Sequence, residues 1–117
     1  FDGFEAFSGT ETAILDNLRT GGSGCISATT NITAPLVARA VKSGDATEAR
    51  RLLALATQMR DLIGALGMVS GTKAAISACR ADPEWLRCLP PNMAVSAEAA
   101  SALHAALQVI WAQGAPR

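Results

Sequence analysis

The spacing of apolar positions changes near Asn31. Before that residue, FEAFS at residues 4 to 8 sets Phe4 and Phe7 among small or acidic neighbours with a glycine on each side, which predicts a short strand. Ser8 stands three residues before Glu11, the capping-box spacing, and opens a predicted helix over TETAILDNLRT in which Ile14, Leu15 and Leu18 share one face. Gly21-Gly22 is suited to the left-handed conformation that closes a helix, and GCISAT follows as a second strand, over about residues 23 to 28. Strand, helix and strand at this spacing make a βαβ unit.

After Asn31 every segment has helical period. ITAPLVARAVKSGD predicts a helix with Pro35 in its first turn and Gly44 past its end. The segment from Ala46 to Gly67 is longer, and Leu52, Leu53, Leu55, Ala56, Met59, Leu62, Ile63 and Leu66 form a wide apolar face. SGTKAAISACRA predicts a shorter helix ended by Asp82-Pro83, PEWLRCLPPNM a loop with one turn, and Ser96 the cap of a last helix through Leu103, Leu107, Ile110 and Trp111. The fold class is therefore α/β and mostly helical.

A chain of 117 residues supports one domain with a real core. Its apolar half is dominated by Ala and Leu, which favours closely packed helices over a β-sandwich. Ten basic and ten acidic residues cancel without forming a basic face, which argues against nucleic acid or an anionic membrane as partner. No apolar run reaches spanning length and the N-terminus has no signal-peptide core, so a soluble protein is expected. Cys25, Cys79 and Cys88 are odd in number and lie in no zinc-site spacing, so reduced thiols in the cytoplasm fit better than a disulfide framework. Cys79 and Cys88 could meet across the turn at Pro83, but burial as small apolar side chains is the expectation.

The run GGSGCISATTN at residues 21 to 31 carries the chemistry question. A phosphate cradle places its glycines after a strand and before a helix, whereas here they precede the strand, so they are read as structural. The strand itself is more informative. Buried and parallel, it delivers Ser27, Ala28, Thr29, Thr30 and Asn31 to its C-terminal end, where such folds put their sites.

F-S-G-T-E, then L-R-T-G-G-S-G-C-I-S-A-T-T-N, then V-K-S-G-D-A-T-E-A and G-T-K, in this order, resemble the last two strands and the C-terminal helices of the dihydrodipicolinate synthase and N-acetylneuraminate lyase family. The resemblance covers nearly the whole chain. It implies that residues 1 to 45 are the last two units of a (β/α)8 TIM barrel and residues 46 to 117 a C-terminal helical extension. It further implies a class I aldolase in which a lysine on the sixth strand forms a Schiff base with pyruvate or another 2-oxo acid and a tyrosine relays protons. The protonated imine is an electron sink that lets the adjacent carbon form or break a carbon–carbon bond. Both residues would precede this chain, which has no tyrosine and whose lysines, Lys42 and Lys73, fall on predicted helices as solvated side chains.

By the same resemblance, two substrate-binding positions remain: Gly9, where substrate approaches the backbone, and Ile26, whose main-chain carbonyl faces the imine nitrogen. Read as residues alone, Gly9 is equally a bare turn and Ile26 is core. No catalytic residue, metal or cofactor is assigned to this chain, and the family's habit implies a homotetramer or dimer. The synthases usually read S-G-D-D where this chain has Ser8-Gly9-Thr10-Glu11, and sialate lyases use an acidic pair and a serine where it has Glu11-Thr12 and Ala28, so the resemblance secures neither specificity. Glu11 reads as a capping-box carboxylate rather than a general acid, and His104, with no ligand-spaced neighbour, as a surface or capped-core histidine. Phe1 in place of Met suggests a piece of a longer polypeptide. The alternative reading is a non-catalytic helical interaction or oligomerisation module.

Overall fold

The computed structural model describes residues 3–115, so Phe1 lies outside the described residues. Strand β1 is Phe7–Ser8 and β2 is Gly24–Cys25, with a 3-10 turn at Glu11–Ala13 and helix α1 at Ile14–Arg19 between them. The strands pair in parallel, Phe7 opposite Gly24 and Ser8 opposite Cys25, as a βαβ unit requires. Both are shorter than the predicted spans 4 to 8 and 23 to 28. Two strands alone share a single ladder, and such a pair sustains little pairing without further neighbours.

The start of α1 departs from the capping-box expectation. Thr10, not Ser8, caps the turn, its hydroxyl accepting from the Thr12 N–H at 3.3 Å, while the Ser8 hydroxyl donates to the Thr10 carbonyl at 2.8 Å. Glu11 is thereby released from capping. At the other end Gly21 takes a φ of +89°, the left-handed geometry expected of the glycine pair. The Asn17 carboxamide then bridges the turn to both strands, its Nδ2 donating to the Ala6 carbonyl and its Oδ1 accepting from the Gly24 N–H.

Four helices come after β2: α2 at Thr30–Lys42, α3 at Ala46–Ala65, α4 at Met68–Arg80 and α5 at Ala97–Gln113, with a 3-10 turn at Pro83–Leu86 before α5. Helix α2 begins before Ile32, on Thr30, so Pro35 sits inside it rather than in its first turn. Asp45 caps α3 through the Thr47 N–H at 2.7 Å, and Ser96 caps α5 through the Ala99 N–H at 3.2 Å. Helices α3 and α4 meet at a bend of 110°. Gly71 of α4 packs so close to α3 that a β-carbon there would lie 2.0 Å from the Ile63 carbonyl oxygen.

The core lies among these helices. Leu36, Leu52, Met59, Ile63, Ala74, Leu103 and Leu107 are all buried in it. Of the face read on α3, Leu52, Leu55, Ala56, Met59 and Ile63 are buried, Leu53 and Leu66 only pack on its edge, and Leu62 turns outward at 38 % exposure. A 3.6-residue period carries Leu62 about 100° beyond Ile63, off the buried stripe. The end of α5 is held by two cations of other helices: Arg51 donates to the Gln113 carbonyl at 3.0 Å and Arg39 to that of Gly114. These satisfy carbonyls that a helix C-terminus leaves free. Among the described residues no single helix is long and apolar enough to cross a membrane.

Candidate functional site

Beyond the ladder, the Ile26 N–H donates to the Ser8 carbonyl at 2.9 Å, so Gly9 and Ile26 emerge side by side at the C-terminal ends of the two strands. Gly9 is exposed, with no atom within 4 Å of where a β-carbon would stand. Ile26 is 73 % exposed, which corrects its reading as a core residue. Among the described residues nothing covers that side of the sheet, and Phe4 at 76 % and Phe7 at 47 % are open with it.

The residues immediately after these two turn inward. Glu11 is fully buried, and its carboxylate collects hydroxyls from the SATTN segment and from α2. Ser27 donates to Oε2 at 2.6 Å, Thr29 to Oε1, and Thr33 to Oε1 at 3.0 Å. Arg60, from the middle of α3, brings Nη1 to within 3.0 Å of Oε2, 2.9 Å of the Ser27 hydroxyl and 2.8 Å of the Thr29 hydroxyl. Thr33 also reaches the Thr29 carbonyl at 3.1 Å, anchoring the group to the first turn of α2.

Proton counting shows how tightly this cluster is closed. A carboxylate offers about four lone-pair sites, and Ser27, Thr29, Thr33 and Arg60 stand at that number, the one Thr33 proton being shared with the Thr29 carbonyl. One guanidinium nitrogen carries two protons, so the three oxygens around Nη1 share them. Burial pushes the Glu11 carboxyl up, but the hydrogen bonds from Ser27, Thr29, its own backbone and Thr33 outweigh it and hold the group below its ordinary range. Glu11 is thus an ionised, saturated anchor. It is neither the capping carboxylate that the spacing suggested nor a group with a lone pair free to take a proton.

The remaining candidates fall elsewhere. Lys42 is exposed on α2, and Lys73 of α4 donates to the Arg87 carbonyl, so neither approaches Gly9 and Ile26 as a buried amine nucleophile would. Cys25 and Cys88 are half-buried and Cys79 is exposed, all three as free thiols, which corrects the expectation of buried apolar cysteines. Burial and the neighbouring Glu11 carboxylate push the Cys25 thiol up, disfavouring the reactive thiolate. His104, expected as a surface or capped-core histidine, is half-buried with its Nδ1 shielded and, among the described residues, without a hydrogen-bond partner, so it is not capped. Among the described residues no group of three or more His, Cys, Asp or Glu side chains is placed to hold a metal ion.

Sequence reasoning missed Arg60, although a signal was present. Arg60 directly follows the buried Met59, and its positions three and four residues away are Ala56, Thr57, Ile63 and Gly64, none of them acidic. A cation beside a buried stripe with no partner on its own helix calls for one on another element.

A family model, that of the dihydrodipicolinate synthetase family, matches residues 1–110. Searches of curated proteins and of solved structures returned no match. The chain belongs to the dihydrodipicolinate synthetase family, and this membership points to an aldolase-like lyase.

Proposed function

We propose that this chain supplies the last two β/α units and the C-terminal helical extension, divided near residue 45, of a (β/α)8 barrel that acts on pyruvate or a related 2-oxo acid through a Schiff base. One observation carries the reading. The parallel pair brings Gly9 and Ile26 together at the strand ends, the edge on which barrel enzymes build their sites. Gly9 would let the 2-oxo acid approach the backbone, and the Ile26 carbonyl would face the imine nitrogen. The exposed Phe4, Phe7 and Ile26 would be covered by the barrel's other strands, and the outward Leu62 and Val109 by a further subunit of a homodimer or homotetramer. A cytoplasmic location fits free thiols.

On this reading the chain alone is inactive, because the imine-forming lysine and the proton-relaying tyrosine belong to preceding units. Incubating the full-length gene product with pyruvate, reducing with borohydride and mapping the modified peptide tests it. One reduced pyruvate per chain, on a lysine other than Lys42 or Lys73, is the expected outcome. An unmodified protein, or an adduct on either of those two lysines, would overturn the reading.

A further inference from the structure

We propose that Arg60 is a positioning residue for the 2-oxo-acid chemistry: from the helical extension it fixes the two strand-end segments that present Gly9 and Ile26 to the pocket. The proposal rests on the barrel reading above and deepens it. Past the Ile26 to Ser8 hydrogen bond the two segments part, one into the 3-10 turn and the other into α2. Neither Gly9 nor Ile26 is held by packing, since both are exposed.

What ties the segments together is polar. Glu11 lies two residues after Gly9, and Ser27 directly follows Ile26; the two side chains meet at 2.6 Å. Arg60 Nη1 touches both, at 3.0 Å and 2.9 Å, so a single atom of α3 holds the joined pair of segments at a set height above the core. The backbone of α3 is fixed by Met59 on one side of Arg60 and Ile63 one turn on, both fully buried. The guanidinium is therefore a rigid reference for segments whose own apolar anchors, Ile14 and Ile32, enter the core only further along the chain. Small displacements at a reacting centre are costly in rate and binding, which gives the contact a consequence for chemistry beyond bracing.

The test uses the full-length gene product and borohydride trapping as a function of pyruvate concentration, with melting temperature measured in parallel. Absence of any adduct in the unaltered protein would overturn the 2-oxo-acid reading itself, and this proposal with it. Given trapping, Arg60→Met should raise the half-saturating pyruvate concentration about tenfold or more. Arg60→Lys keeps the charge with a shorter reach and should fall between Met and the unaltered protein. The double variant Glu11→Gln/Arg60→Met removes both charges together, so it stays measurable if the single variant fails to fold, and it should show the same rise. Half-saturation unchanged in Arg60→Lys and in the double variant, whatever their melting temperatures, would reduce Arg60 to a brace and overturn the proposal.

Discussion

The strand-end segment before Asn31 and the helices after it solve the problem of burial in opposite ways. Helices α2 to α5 share one apolar core, to which the earlier segment contributes Ile14 as its buried apolar side chain. The strand-end segment buries Glu11 and Thr29 instead, and leaves Phe4, Phe7 and Ile26 open. Apolar burial is non-directional and forgiving, whereas a buried carboxylate is tolerated only with every partner in place. The helical part is accordingly built to be stable, and the strand-end part to be held at a set geometry by a few polar contacts. On the proposed reading, the wall of a 2-oxo-acid site needs the second property.

That contrast is sharpest in paired substitutions. On α3, Met59→Asp would bury an unpaired charge in the shared core and should cost more than about 4 kcal/mol, unfolding the helices that share it. Leu62→Asp, one turn away and 38 % exposed, should cost only about 1 kcal/mol in the isolated chain by denaturant melting. In the assembled protein a larger loss for Leu62→Asp, with a fall in mass by light scattering, is expected if another subunit covers it. The glycines repeat the lesson. Gly71→Ala drives a methyl group into the Ile63 carbonyl and should lose about 1 to 3 kcal/mol, read from the shift in melting.

The acid limb comes next in size. The folded-state Glu11 carboxyl lies below the 4.5 of its unfolded reference, so the unfolded state binds the proton first. Its contribution is fully present above about pH 4.5 and is lost as pH falls through the lowered folded value. Glu11→Gln should therefore flatten the loss of stability below pH 4.5, and an unchanged acid limb would mean that another carboxylate governs it. Smallest in stability is Gly9→Val, since no atom stands near the added carbon; its melting temperature should stay within error while adduct formation with pyruvate is lost.

Much of the helical half was legible because its signal is local and periodic. Ser96 announces a cap, and Leu52, Ala56, Met59 and Ile63 repeat at helical spacing. The strand-end half was less so. The glycine pair and the parallel βαβ order could be read from turn chemistry, but Glu11 satisfied a capping-box pattern while its actual partners lie 16, 18, 22 and 49 residues away. No local rule pairs a carboxylate with hydroxyls and a guanidinium at such separations. Leu62 escapes burial for a related reason: a wide apolar stripe states which residues are apolar, not how many neighbours exist to cover them. Ile26 has the pattern of a core strand residue, and only the open side of the two-stranded sheet reveals its exposure.

The central claim is that the polar cluster centred on Glu11 and Arg60 couples the strand ends to α3. A double-mutant cycle on the full-length gene product measures it directly, using unfolding free energies of Glu11→Gln, Arg60→Met and the two combined. The pair is buried on the carboxylate side and shares hydroxyl partners, so a coupling of about 2 kcal/mol is expected, with the double variant more stable than Arg60→Met alone. Additive effects within about 0.3 kcal/mol would show that the strand ends and α3 are not joined through this cluster, and would contradict the account.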